Sequence, residues 1–258
     1  PECRPMTAFT TDNGSYQFRK MPFGLMNSAA TFNRMIRQVL EGLEHTDHYV
    51  DDILGHTETW DGHLRELREL FQRIRDAGLT VRPTKCLIGF QTVSFVGHII
   101  GEGRVQMEED KVGKIRNAPR PETKTQVRAF LGLANYYRKF VPEFGTVAAP
   151  LTDLTKKGGP NRVKWGEKQE RAFQILKDML TQDPVLRMPD PDKEFLLQTD
   201  ASDTGVGAIL MQEFSDGRFP IAYASKKLLS RERNYSVIER ECLALVFGVK
   251  KFQMYLYG

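Results

Sequence analysis

A chain of 258 residues with 40% hydrophobic and 27% charged residues has room for about two packed domains and the balance of a globular protein, not of a collagen, a coiled coil or a disordered tail. No apolar run approaches the roughly 20 residues that a helix needs to cross a bilayer. The three cysteines, Cys3, Cys86 and Cys242, are odd in number and far apart, which argues against a disulfide-stapled secreted scaffold and points to a reducing compartment. Net charge is +4, but residues 111–140 hold eight Lys/Arg against Glu122 alone, a local +7. Clustered cations of this kind gain affinity for polyanions by counterion release, while an ordinary solvated helix face accounts for the run equally well. The chain opens at Pro1 with no basic-then-apolar leader, and is read as part of a longer polypeptide without a targeting signal of its own.

In chain order, the first strong signal is a helix capped by Ser28, bearing Phe32, Met35, Ile36, Val39, Leu40 and Leu43 and stopping near Gly42. Residues Thr46–Gly55 read as a hairpin with an aspartate pair at its centre. Asp61 is placed to cap a second helix with Leu64, Leu67, Phe71 and Ile74 on one face, closed by Gly78. Short strands are expected at 79–81, 87–88, 93–96 and 99–100. A helix over 109–117 ends at the Ala118–Pro121 break, and Thr123 caps a longer one carrying Val127, Phe130, Leu131, Ala134, Tyr137 and Val141. Lys156–Pro160 reads as a linker. A helix over 167–181 follows, then β-prone runs at 195–199, 206–211 and 219–223, and a last helix from about 233 to 256.

Two acidic constellations carry possible chemistry. Asp51 and Asp52 sit adjacent between short apolar runs, where like charges repel and a hard divalent cation would neutralise them; an exposed turn is the plain alternative. Asp200 ends the apolar run Phe195–Thr199, a position where aspartate is also a common turn former. On the last helix, at about 100° per residue, Glu241 falls in the arc of Val237, Ile238, Ala244, Leu245, Gly248 and Val249, and Glu239 falls opposite. A carboxylate on a core-facing arc is costly unless paired or metal-bound, although an edge-of-core glutamate is common. A helix packed over the sheet would carry Glu241 to Asp200 as a two-carboxylate metal site. His45 and His48 around Asp47 fit no zinc spacing, and the glycine pairs at 101/103 and 205/207 lack the context of a nucleotide-binding turn.

The blocks Met21–Asn27 (MPFGLMN), Tyr49–Leu54 (YVDDIL), Phe95–Ile99 (FVGHI), Phe130–Arg138 (FLGLANYYR), Pro150–Thr152 (PLT), Thr199–Ser202 (TDAS) and Glu239–Ala244 (ERECLA) resemble, in order and end to end, the reverse transcriptase and ribonuclease H portion of gypsy-type LTR retrotransposon polyproteins. The resemblance implies an α+β fold: a reverse-transcriptase palm of antiparallel sheet with helices and a helical thumb, followed by the N-terminal half of a ribonuclease H-like domain. It implies a palm and fingers remainder over 1–106, a basic helical thumb over 107–160, and a connecting helix with the partial ribonuclease H-like domain over 161–258.

By the same resemblance, Asp51 and Asp52 would hold Mg²⁺ for nucleotidyl transfer, and Asp200 and Glu241 would be ribonuclease H carboxylates, with two Mg²⁺ ions per active site and Mn²⁺ as a substitute. Phe23, Gly24, Tyr49 and Val50 would lie at the nucleotide and primer end, Gly97 and His98 in the primer grip, and Lys111, Lys114, Arg128, Arg138 and Lys139 along the nucleic-acid backbone. The implied partners are RNA template, DNA primer, RNA–DNA hybrid and dNTPs, with protease and integrase as polyprotein neighbours, no membrane, and an intracellular, cytoplasmic virus-like particle as the setting.

The sequence departs from that family at Ser28-Ala29, where Ala-Pro is usual, and at Gly55-His56, where an apolar residue and Ser are usual. The remaining palm aspartate is expected upstream and the later nuclease carboxylates downstream, so that neither active site is complete within these residues and the fragment is inactive alone. The competing readings are a catalytically decayed or domesticated nucleic-acid-binding module that keeps the basic helices, and a structural capsid-type protein.

Overall fold

The computed structural model describes residues 4–182 and 184–257; Cys3 lies outside the described residues. The chain divides into two compact units after Phe90.

The first unit begins with a small hairpin, β1 (Phe9–Thr11) and β2 (Gly14–Tyr16), followed by α1 (Ser28–Leu40), the hairpin of β3 (Thr46–Tyr49) and β4 (Asp52–Gly55), and α2 (Trp60–Asp76). The two helices bury Ile36, Leu40, Leu70 and Ile74 against each other, with Phe32, Met35, Phe71 and, from β4, Ile53 packed alongside. Both helix starts differ from expectation by one or two residues. Asn27, not Ser28, precedes α1, and Ser28 Oγ instead donates to the Pro22 carbonyl at 3.1 Å. Thr59 caps α2, its Oγ1 accepting from Gly62 N at 3.2 Å, because its backbone is extended while Asp61 is already helical. The β-prone residues 79–81 and 87–88 form no strand, having no partner to pair with.

The second unit contains two sheets. β5 (Thr92–Phe95), β6 (His98–Gly101) and β7 (Arg104–Met107) form a meander, whose outer edge is completed much later by β8 (Leu186–Arg187), pairing Val105 with Leu186. Between β7 and β8 run α3 (Glu109–Arg116), α4 (Lys124–Tyr136), α5 (Phe144–Val147), α6 (Ala149–Leu154) and α7 (Glu167–Thr181). α4 opens with a reciprocal capping box between Thr123 and Gln126. The helices close a core around Ile115, Val127, Tyr137, Leu151, Phe173 and Leu176. The Lys156–Pro160 stretch is no free linker: Lys124 Nζ donates to the carbonyls of Lys156 at 2.7 Å and Gly159 at 2.9 Å. The turn Glu102-Gly103, both residues left-handed, closes the β6–β7 hairpin.

The second sheet is antiparallel in the order β11 (Gly217–Lys227), β10 (Gly205–Phe214), β9 (Phe195–Ala201), and β9 lies at its edge among the described residues. α8 (Val237–Lys251) packs on one face and is followed by α9 (Gln253–Leu256). α8 starts at Val237, four residues later than expected, because the Ser236/Glu239 capping box sets its first turn. Gly248 lets the helix lie close: a Cβ there would stand 3.1 Å from Ala208 Cβ and Thr199 Cγ2, and 3.3 Å from Leu197 Cδ1.

That close approach corrects the expected helix face. Ala244 and Gly248 are buried as anticipated, but Val237 at 64% and Ile238 at 76% exposure, with Leu245, face outward. The sheet takes the small residues, since only they permit near contact between backbones. Gly248→Val overpacks this contact, and we expect it to destabilise the unit by about 1–3 kcal/mol, measured as a lower urea midpoint with an unchanged slope.

Candidate active sites

Tyr49 pairs with Asp52, so the β3–β4 loop has two residues, Val50 and Asp51. Val50 adopts φ 57°, a left-handed conformation that a β-branched side chain enters only at a cost of about 1–3 kcal/mol. Asp51 and Asp52, next to this residue, are both exposed. Tyr49 shares the exposed face of the hairpin with Asp52, while His48 and Ile53 lie on the face turned to the helices. Neither carboxylate enters an ion pair or side-chain hydrogen bond among the described residues. Phe23 is fully exposed, beside Gly24 at φ 87°.

Asp200, the residue before the end of β9, lies opposite Gly207, which in turn lies opposite Ser225. Thr199, Ala208 and Ala224 occupy the alternate register, and Thr199 and Ala208 touch the Gly248 site of α8. Strand alternation therefore assigns Asp200 to the face away from α8. There it lines a cleft of about 260 Å³ with Gln198, Ser202, Tyr223, Thr146 and Glu143. Glu241 stands on α8, exposed and outside that cleft. Asp200 and Glu241 thus stand on β9 and on the helix that packs against it. At about 100° per residue, Glu241 sits about 60° from Ala244 and about 20° from Gly248, on the side of the helix that meets the sheet. Glu239 is committed elsewhere: it caps the helix through Ser236 N at 2.8 Å and Oγ at 2.9 Å, bonds that hold its carboxyl below the usual range.

The β5–β6 turn is the most tightly held of the three candidate regions. Its two residues, Val96 (φ 46°) and Gly97 (φ 68°), are both left-handed, as a type I′ turn requires. Their carbonyls point off the sheet and are taken up by α4 and the residue after it. Tyr136 Oη donates to Val96 O at 2.6 Å, and Tyr137 Oη donates to Gly97 O at 2.7 Å. A second donor reaches Val96 O, since His98 Nδ1 lies 2.8 Å away, which assigns the proton to that nitrogen. His98 Nε2 is buried with no partner among the described residues. Tyr136, Tyr137 and Phe140 surround the imidazole with ring centroids 5.5–5.8 Å away. Burial first, and then the charge of Lys139, hold the imidazole below its ordinary pKa of 6.5. Burial likewise pushes the Tyr137 phenol up to about 12, so it remains a donor throughout the physiological range. Tyr137 was expected only as a core residue, and the pairing of two tyrosines is the signal that marks the clamp.

Several cations of the basic stretch are engaged by the protein itself, Arg116, Arg120 and Arg128 while remaining exposed. Arg116 meets Glu109 at 3.3 Å, Arg120 lies over the Trp165 ring, and Arg128 donates to Thr155 O at 3.1 Å. Arg138, expected on a phosphate backbone, instead donates to Ser225 O at 2.6 Å and stacks over Phe144. Lys139 lies over Phe140, its pKa lowered by burial. Lys111 and Lys114 have no ion pair or side-chain hydrogen bond among the described residues. The local +7 is thus partly engaged by carbonyls, rings and an acid, with Lys114, Arg116, Arg120 and Arg128 still exposed.

As to metal, no group of three His, Cys, Asp or Glu side chains that could hold an ion occurs among the described residues. The donors at Asp51/Asp52 are hard, unpaired carboxylate oxygens, which fit Mg²⁺ with water completing its shell. They supply part of a coordination sphere. Asp200 and Glu241 are likewise exposed carboxylates without an ion-pair partner among the described residues. No helix among the described residues is long and apolar enough to cross a membrane.

The fold is α+β, antiparallel hairpins and sheets with helices packed on them. Residues 1–100 match the reverse transcriptase (RNA-dependent DNA polymerase) family, and residues 165–258 match the RNase H-like domain found in reverse transcriptase. The chain is 39% identical over 254 residues to the retrovirus-related Pol polyprotein from transposon 297 of Drosophila melanogaster, covering 98% of this chain and 24% of the relative. It is 37% identical to that from transposon gypsy of the same species, covering 99% and 25%. A foamy viral protease–reverse transcriptase solved with double-stranded DNA superposes with a TM-score of 0.89 at 26% identity, over 99% of this chain and 45% of that one. The same viral protein with an RNA/DNA hybrid gives 0.85 at 27%, over 98% and 34%. The chain belongs to the retrotransposon Pol polyproteins, in their reverse transcriptase and RNase H-like region. It spans about a quarter of the length of the curated relatives it matches.

Two outcomes follow from the β5–β6 turn. Tyr137→Phe leaves Gly97 O without its donor, and a loss of about 1–3 kcal/mol is expected in denaturant unfolding. Because the His98 pKa is lower folded than unfolded, the native state binds fewer protons. Stability is then full above pH 6.5 and falls as pH drops from 6.5 through the folded pKa. Unfolding free energies measured between pH 8 and 5 should show this slope reduced in His98→Gln.

Proposed function

We propose that this chain is a working part of an RNA-directed DNA polymerase with ribonuclease H activity, acting on an RNA template, a DNA primer and the hybrid they form. The observation that carries the reading is the strained Val50 tip, beside two adjacent exposed carboxylates with no protein partner. Strain persists at a turn where the surrounding fold over-determines it, and such turns cluster at sites of chemistry. Members of both matched families are in general divalent-metal dependent. Bound Mg²⁺, two ions per site with Mn²⁺ as a substitute, would lower the pKa of the attacking hydroxyl or water and neutralise charge on the leaving oxygen.

The residues' own parts are positional. Asp51 and Asp52 would hold the cation, Asp200 and Glu241 would belong to the nuclease, and Tyr49 with Val50 would lie against the primer end. Phe23 and Gly24 would face the incoming dNTP. The β5–β6 turn at Gly97 and His98 would support the primer, held by the two tyrosines. The proposed division is a palm and fingers remainder over 1–106, a thumb over 107–160, and the nuclease part over 161–258. Lys111 and Lys114 are proposed as backbone contacts because their ammonium groups are unengaged; Arg128 keeps a free edge, whereas Arg138 and Lys139 are half-buried. Protease and integrase neighbours, and assembly in a cytoplasmic particle, complete the proposal.

Primer extension with Mg²⁺ by the full polyprotein product tests it. Asp51→Asn should slow extension by about a hundredfold or more, the several kcal/mol that a correctly held ion contributes; equal rates would remove Asp51 from the site. The Lys111→Ala/Lys114→Ala double variant should bind hybrid more weakly and reduce the slope of log affinity against log salt by about 2, and an unchanged slope would place the phosphate contacts elsewhere.

A further inference from the structure

The residues Tyr136, Tyr137 and Arg138 join the two sheets of the second unit. The first two reach back to the carbonyls of Val96 and Gly97, at 2.6 and 2.7 Å. Arg138 Nη2 reaches forward to Ser225 O on β11, at 2.6 Å, and Ser225 Oγ accepts from Gly145 N at 2.8 Å. Ser225 lies laterally opposite Gly207, and Gly207 opposite Asp200. The hydrogen bonds of Tyr136, Tyr137 and Arg138, followed by two strand pairings, therefore link the β5–β6 turn to the strand that carries Asp200.

Each end of this connection is stiff. At the turn, a Cβ on Gly97 would stand 2.9 Å from Tyr136 Oη, so the phenol is seated against the backbone with no slack. At the sheet, a Cβ on Gly145 would stand 2.9 Å from Lys226 Cα and 3.1 Å from its N and C atoms. Asp153 adds an ion pair to Lys227 at 2.8 Å, one residue further along β11. Interdigitated contacts of this kind transmit displacement rather than absorb it.

We infer that Tyr136, Tyr137 and Arg138 are positioning residues that hold the β5–β6 turn at a fixed offset from the β9–β11 sheet, so that the distance along a bound hybrid between the primer end and the point of RNA cleavage is set by this strut. The inference rests on the reading of the turn as the primer support and of Asp200 as a nuclease carboxylate. Arg138 then serves as an internal tie to the sheet and not as a phosphate contact. Its cation satisfies a carbonyl that already belongs to a strand, which is why its partial burial is tolerated.

The test uses the full polyprotein product on a hybrid of labelled RNA and a DNA primer with a fixed 3′ end, and maps the RNA cuts. Gly145→Ala introduces a methyl against the Lys226 backbone without touching the tyrosines or any proposed substrate contact. The principal cut should move or split by about one nucleotide, roughly 3.4 Å of strand, while the rate of primer extension is unchanged. Arg138→Ala should spread the cuts over neighbouring positions, and Arg138→Lys should restore part of the wild-type register. A wild-type cut map in folded Gly145→Ala and Arg138→Ala proteins would overturn the strut. If Gly145→Ala fails to fold, the Arg138 pair decides alone, since loss of this internal tie without a register change gives the same refutation. A wild-type protein that neither extends nor cuts would instead refute the underlying function.

Discussion

A two-residue turn leaves carbonyls that no neighbouring strand can satisfy, and the second unit is organised around two of them. Val96 O and Gly97 O are met by the hydroxyls of consecutive tyrosines at the end of α4. Consecutive residues on a regular helix point about 100° apart, so both can reach one turn only where the helix is ending, and α4 ends at Tyr136. The same break turns Arg138 toward Ser225. Helix termination, turn geometry and the docking of the second sheet are therefore one arrangement. It also encloses His98 among aromatic rings, which is why that imidazole is held neutral.

Charge is handled in two contrasting ways. Acids with structural duties are paired: Glu232 accepts from Leu229 N and Lys226 Nζ, Asp153 meets Lys227 and Lys156, and Glu239 caps α8. Hydrogen bonds and cations stabilise their charged forms, the arrangement that holds these carboxyl groups below their ordinary pKa. Asp51, Asp52, Asp200 and Glu241 have no such partners among the described residues. Exposed acids of that kind cost nothing to keep hydrated and remain available to a cation and its polyanion. The basic residues show the opposite economy, several of the 111–140 cations being absorbed into carbonyls, rings and ion pairs.

Much of the secondary structure was legible because its signals are local. The Thr123 cap, the 46–55 hairpin and the 167–181 helix each depend on residues within a few positions of one another, and each is found where expected. The short strand β8 was not legible: two residues carry no periodicity, and only the waiting edge of β7 makes them a strand. The same holds for α5 and α6, single and double turns whose place is settled by packing around Leu151 and Phe144. The α8 face was misjudged for a related reason. Apolarity pointed to Val237, Ile238 and Leu245, whereas contact with the sheet selected Ala244 and Gly248 by size.

Family membership and the identity of the candidate acids were determined by the sequence itself, since ordered blocks such as YVDDIL and TDAS record covalent order and need no coordinates. What the tertiary structure alone decided is which of those side chains meet. Strand alternation put Asp200 on the face away from α8, and the bend after α4 aimed Arg138 at the Ser225 carbonyl. The physical reason is that composition and spacing report on neighbours along the chain, while side-chain direction depends on backbone angles and on contacts formed across many tens of residues.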